Sequence, residues 1–185
     1  LSNSTSIGDN AFSSCSKLQS IDLAKCKYIG MSAFNSCISL NAIKNMTLLT
    51  IIPNSAFSGC TSLKEIDLSN CTTIGDSAFG GCNNLNIIKG IEQFTTIPNG
   101  AFCSTAIESL SLPICTNISN YAFDGCKNLK TIDLPKCETI GAKAFSDCIN
   151  LATVNLPVCK SIEGGGNISY FYGAFSNCTK LEKIE

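Results

Sequence analysis

Apolar residues return along this chain in a fixed order. Ile7, Ala11, Phe12, Cys15, Leu18, Ile21, Leu23 and Cys26 form one set, and Ile29 opens the next. An Ala-Phe pair marks each return, at Ala11-Phe12, Ala33-Phe34, Ala56-Phe57, Ala78-Phe79, Ala101-Phe102, Ala122-Phe123, Ala144-Phe145 and Ala174-Phe175. By subtraction, the steps from Phe to Phe are 22, 23, 22, 23, 21, 22 and 30 residues. Within a set, Ser20-Ile21-Asp22-Leu23 alternates polar and apolar residues, which predicts a short strand with one buried face. Pro113, Pro135 and Pro157 follow the strand leucines, where a residue without an N–H ends a ladder. The Ala-Phe segment, bounded by Gly or Pro on one side and Cys or Leu on the other, predicts one helical turn, α or 3₁₀, with Ala and Phe turned inward.

Self-similarity at this period is the mark of a stacked repeat. One unit cannot bury its own apolar face, but neighbours can cover it, with equivalent strands about 4.8 Å apart in parallel. Two kinds of unit alternate in the first half. Repeats 1 and 3 read Ile-Asp-Leu-x-x-Cys. Repeats 2 and 4 are one residue longer, with Leu49 and Phe94 in place of the second cysteine and Asn45 or Gly90 after the strand. Asn and Gly most easily accept positive φ, so both read as bulges that absorb the extra residue. The turns that follow begin Ile52-Pro53 and Ile97-Pro98 instead of Ile-Gly.

The unit Ile-Gly-x-x-Ala-Phe-x-x-Cys-x-x-Leu-x-x-Ile-x-Leu-Pro closely resembles the BspA-like, or Treponema-type, leucine-rich repeat family. The resemblance covers nearly all of residues 1–185, as one domain of about eight repeats. It implies an α/β right-handed leucine-rich repeat solenoid, with a parallel sheet on the concave face and short helical turns on the convex side. It also implies a surface or secreted protein that adheres to host or extracellular-matrix proteins. The second cysteine column departs from the family's usual small or aliphatic residue. No family motif maps a binding site onto this chain.

Composition narrows the chemistry. Lys and Arg number 13 against 14 Asp and Glu, so no basic stripe is available for nucleic acid. No apolar run approaches the ~20 residues of a membrane span. Both ends fall inside a repeat without a polar cap, which suggests a segment of a longer chain. Histidine is absent, which removes Ser-His-Asp and Cys-His nucleophiles and most catalytic zinc sites. The expectation is a non-enzyme with no catalytic, metal or cofactor residue. The 13 cysteines fall mainly in two repeat columns that elsewhere hold apolar residues, so they read as buried free thiols. Their redox compartment stays open. Asn-x-Ser/Thr sequons begin at Asn3, Asn45, Asn70, Asn117, Asn167 and Asn177 and are compatible with secretion without showing it.

Two candidate partner contacts stand out. Asp22, Lys44, Asp67 and Lys89 share one strand position in four successive repeats and alternate in sign. They read either as a charged ligand surface or as a cross-strand ion-pair ladder. The second candidate is the eight-residue insertion within 163–173, where three glycines precede Tyr170, Phe171 and Tyr172. It reads as a projecting aromatic contact or as a neutral loop folded back on the stack. The expected function is non-catalytic protein recognition at the cell surface or outside the cell, with no nucleic acid as partner. The alternative is a cytoplasmic protein-interaction scaffold.

Overall fold

The computed structural model describes residues 4–163 and 173–185. The chain winds into a parallel β-solenoid whose rungs are numbered here by their phenylalanines, Phe12 to Phe175. Odd-numbered strands stack as a side column: β1 (Ser6–Ile7), β3 (Tyr28–Ile29), β5 (Ile51–Ile52), β7 (Thr73–Ile74), β9 (Thr96–Ile97), β11 (Asn117–Ile118), β13 (Thr139–Ile140) and β15 (Ser161–Ile162). Even-numbered strands stack as the front: β2 (Ser20–Asp22), β4 (Ala42–Lys44), β6 (Glu65–Asp67), β8 (Ile87–Lys89), β10 (Ser109–Ser111), β12 (Thr131–Asp133), β14 (Thr153–Asn155) and β16 (Lys183–Ile184). The period-two reading holds on the front: Ile21, Ile66 and Leu110 are buried while the residues on either side are exposed.

The expected helical turns do not form. Among the described residues there is no α-helix, and the 3₁₀ turn Ile91–Gln93 follows β8 rather than carrying an Ala-Phe pair. The Ala-Phe segments are runs of tight turns. Ala11, Ser13 and Cys15 donate back to Gly8, Asn10 and Phe12, whereas Asn10, Phe12 and Ser14 donate forward to the carbonyls of Met31, Ala33 and Asn35 on the next rung. A helix would consume those N–H groups internally. Here half of them build a third inter-rung ladder, with Phe-to-Ala bonds continuing from Phe12 to Phe145 at 2.8–3.0 Å. The alternation needs left-handed residues four apart around each pair, such as Asn10 and Ser14, Ser32 and Ser36, and Ser55 and Gly59.

The core follows the rungs. Consecutive phenylalanines stack from Phe12 to Phe175 with centroids 5.3–5.8 Å apart and planes within 12°. Each side chain of the central rungs is fully buried. The first cysteine column sits beside this stack and donates its thiols to phenylalanine carbonyls one rung back. Cys37 reaches Phe12 O at 3.0 Å, Cys60 reaches Phe34 O at 3.2 Å and Cys148 reaches Phe123 O at 3.2 Å. The shorter fifth rung places Thr105 in this column, buried, with its hydroxyl donating to Phe102 O at 2.9 Å. The column therefore selects a small side chain that can also satisfy a buried carbonyl.

The two kinds of repeat divide the stack into blocks. The front strands pair in register as β2-β4, β6-β8 and β10-β12-β14-β16, and the side strands as β1-β3, β5-β7 and β9-β11-β13-β15. Both ladders stop between rungs 2 and 3 and again between rungs 4 and 5. Asn45 and Gly90 take φ of 59° and 77°, directly after β4 and β8, as the extra residue requires. On the side, Gly30, Gly75, Ser119 and Gly141 donate to Ile7, Ile52, Ile97 and Ile118 of the preceding rung. Pro53 and Pro98 hold the equivalent position and have no N–H to give Ile29 or Ile74. The back ladder crosses both junctions unbroken: Phe34 donates to Ala56 at 2.8 Å and Phe79 to Ala101 at 2.9 Å.

Candidate functional site: the front face

The strand alternation that buries Ile21, Ile66 and Ile132 turns their neighbours outward into a polar face. Asp22 lies in register with Lys44 and Asp67 with Lys89, each pair on bonded strands. Lys44 and Asp67 hold the same strand position on either side of the first junction, where the strands do not pair. The ladder of four alternating charges is thus two separate pairs. Nor do these pairs close as ion pairs. Asp22 instead accepts from Asn45 Nδ2 and from the backbone N–H of Ala24, both at 3.0 Å, and Asp67 accepts from the N–H of Ser69 at 3.0 Å. Those bonds, led by Asn45 for Asp22 and by Ser69 for Asp67, hold both carboxyls below their usual pKa. Ion pairs among the described residues lie elsewhere, at Glu108–Lys130 and Glu138–Lys160, both 2.8 Å, and at Lys183–Glu185.

The aromatic candidates Tyr170, Phe171 and Tyr172 lie outside the described residues. On either side of them the stack is in register: Phe145 and Phe175 stack at 5.3 Å, and Val154 pairs with Ile184.

The broadest continuous front surface lies farther along, on β10, β12 and β14. A depression of about 330 Å³ is lined by Ser109, Ser111, Thr131, Asp133, Thr153 and Asn155. Its centre is Asp133, which accepts from Ser111 Oγ at 3.2 Å and Asn155 Nδ2 at 2.6 Å. The sequence places Ser111, Asp133 and Asn155 at one repeat position, but not their bonding. The signal available was the 22-residue spacing from Ser111 to Asp133 and from Asp133 to Asn155, which matches the in-register pairing of these strands.

The thiols are structural in placement. All 13 cysteines are unpaired, nine of them buried. Burial pushes Cys82 and Cys126 up to about 12 and Cys71, Cys137 and Cys178 up to about 11. Such groups stay protonated and unreactive at neutral pH. Among the described residues no helix is long and apolar enough to cross a membrane, and no group of three or more Cys, Asp or Glu could hold a metal ion.

The chain belongs to the BspA type leucine rich repeat region family, which it matches in 6 copies over residues 1–105 and 95–185. Solved structures that the chain resembles include bacterial leucine-rich repeat proteins. A leucine rich cell surface protein from Faecalibacterium prausnitzii is 27% identical with a TM-score of 0.72, covering 98% of this chain and 58% of its own. A leucine-rich repeat protein from Bacteroides ovatus is 25% identical with a TM-score of 0.68, covering 97% and 58%. The pneumococcal vaccine antigen PcpA is 26% identical with a TM-score of 0.58, covering 82% and 42%. The chain spans 58% of the length of the first two. No curated protein matches it. Leucine-rich repeat domains are in general protein-interaction modules.

Proposed function

We propose that this chain is a non-catalytic protein-recognition segment of a cell-surface or secreted adhesion protein, and that its front face holds the partner. The observation that carries the reading is the unbroken sheet β10-β12-β14-β16, which fixes an exposed polar row in register around Asp133. A rigid row of this kind binds without first ordering its own side chains, which lowers the cost of association. The cell-surface description of the Faecalibacterium relative and the antigen status of PcpA support the location. The partner is a host or extracellular-matrix protein, with Asp22, Lys44, Asp67 and Lys89 as flanking contacts and Tyr170, Phe171 and Tyr172 as a second contact.

The test is binding of the chain to a panel of purified extracellular-matrix proteins, with three variants. Asp133→Arg, and Lys44→Glu combined with Lys89→Glu, should weaken capture at unchanged melting temperature. Deleting residues 164–171, which restores a four-residue spacing between Ile162 and Ala174, should weaken capture while leaving melting near wild type. Capture insensitive to all three would overturn the front-face reading. Labelling of intact cells decides between the surface and the cytoplasm.

A further inference from the structure

The junction between rungs 4 and 5 opens a cleft of about 450 Å³ on the side column, lined by Thr72, Thr73, Gln93, Thr95, Thr96 and Pro98 among others. We infer that this cleft is a binding site for a neutral, hydroxyl-bearing ligand, a short saccharide, separate from the front-face protein contact.

The argument begins with backbone groups the junction leaves behind. In the rungs that pair, the residues entering each side strand donate one rung back. Thr72 and Thr73 donate to Thr50 O, Thr116 and Asn117 to Thr95 O, and Glu138 and Thr139 to Thr116 O. The equivalent bonds from Thr95 and Thr96 to Thr72 O are missing, because β7 and β9 do not pair. Pro98 removes a further donor, and Ile74 O, which the pattern would pair with residue 98, accepts nothing among the described residues. One wall of the cleft therefore carries two free N–H donors and the other carries two free carbonyl acceptors. Thr72, Thr95 and Thr96 are exposed, so these groups bond to water and can exchange it for a ligand.

The chemistry of that partner follows from the walls. No charged side chain lines the cleft, so a carboxylate, phosphate or ammonium would enter without a counter-charge. A hydroxyl group both donates and accepts, so one hydroxyl can bridge an N–H on one wall and a carbonyl on the other. Thr73, Thr95 and Thr96 add further hydroxyls. Gln93 donates its Nε2 to Leu68 O at 2.8 Å, which fixes its amide at the cleft margin. Ile74 and Phe94 are buried in the core beneath the cleft, and half-buried Pro98 supplies the apolar surface against which the C–H face of a sugar ring packs. The volume lies within the range of small-molecule pockets. The junction between rungs 2 and 3 parts its backbone in the same way, but presents exposed Tyr28 and Ile51 where this one has Thr73 and Thr96.

The experiment is an amide chemical-shift titration of the full chain with lactose, maltose, cellobiose and N-acetylglucosamine, with glucuronate as the charged control. Saturable shifts centred on Thr95 and Thr96 are expected for at least one neutral sugar, with Kd about 1–10 mM for so shallow a site, and none for glucuronate. Thr96→Val and Gln93→Leu should each weaken binding about three- to tenfold, the loss of one hydrogen bond. Pro98→Ser restores an N–H opposite Ile74 O, as Ser119 supplies one for Ile97 O, and should reduce binding while the fold is retained. The proposal is overturned if no neutral sugar gives saturable shifts at the cleft, which then holds water only. It is equally overturned if all three variants bind as wild type. Asp133→Arg should leave the titration unchanged, so failure here and failure of the front-face reading remain distinguishable.

Discussion

At the scale of single residues, the fold depends on a few positions where backbone and charge leave little choice. Gly90 is one: a Cβ built there would lie 2.6 Å from Ser69 N and 2.7 Å from Ser69 Cα, in addition to requiring φ of 77°. Gly90→Val should cost at least the ~1–3 kcal/mol of a strained backbone, read as a lowered midpoint in urea, whereas a change at exposed Asn70 should be near neutral. Asp124 is a second. Its Oδ1 is buried without a hydrogen-bond partner, and burial raises its pKa. A carboxyl raised in the folded state costs nothing below its unfolded pKa of about 3.9, and destabilises increasingly as pH climbs through the raised folded value. Asp124→Ser, the residue at this position in rungs 1, 3, 7 and 8, should therefore stabilise the protein at pH 7. The gain should vanish near pH 3, as thermal melts at the two pH values would show. The thiols give a third expectation. In native protein an alkylating reagent should modify exposed Cys15 first and leave the nine buried cysteines intact until denaturant is added. Oxidised pairs in protein kept under native redox conditions would contradict the buried-thiol core.

At the scale of elements, the phenylalanine stack and the back ladder act together. Phe79 lies at the junction between rungs 4 and 5, where both β-ladders stop and the stack and the back ladder carry the coupling, with one front bond from Ala106 N–H to Leu85 O. Phe79→Ala should cost about 3–5 kcal/mol as a core cavity, with loss of coupling between the blocks on either side. Phe12→Ala, at a half-buried end of the stack, should fray the first rung and leave the later blocks folded, because coupling runs between nearest neighbours. Denaturation followed by probes in rungs 1 and 7 would separate the two outcomes. Equal global loss from both would point to a single globular core. The helical turns expected for the Ala-Phe pairs failed at this scale. Their spacing suits a turn, but the partner of each Phe N–H is an alanine on the next rung, a contact no local window contains.

At the scale of the whole molecule, the chain is three blocks on one spine: rungs 1–2, rungs 3–4 and rungs 5–8. Hydrogen exchange should follow those blocks. The N–H groups of Thr95 and Thr96, which have no acceptor on the preceding rung, should exchange faster than those of Thr116 and Asn117, which have one. The four-strand sheets should be the last to open. Uniform protection along the stack would count against the division.

Much of this was written in one dimension. The return of Ala-Phe, the two cysteine columns, the strand alternation and the extra residue at Asn45 and Gly90 are local or periodic. A stacked repeat converts such periodicity directly into columns, so the family, the core and the left-handed Asn45 and Gly90 could be read from the sequence, whereas the left-handed residues flanking each Ala-Phe pair could not. The Ile-Pro pairs were visible as well, but not their effect. Tertiary structure alone decided which N–H groups met a carbonyl one rung away. It opened the ladders at two junctions, split the alternating charges into two pairs and turned Asp22 and Asp67 to amide donors instead of lysines. It also gathered Ser111, Asp133 and Asn155 around one carboxylate. These outcomes depend on register and distance between rungs, which the order of residues within a rung does not contain.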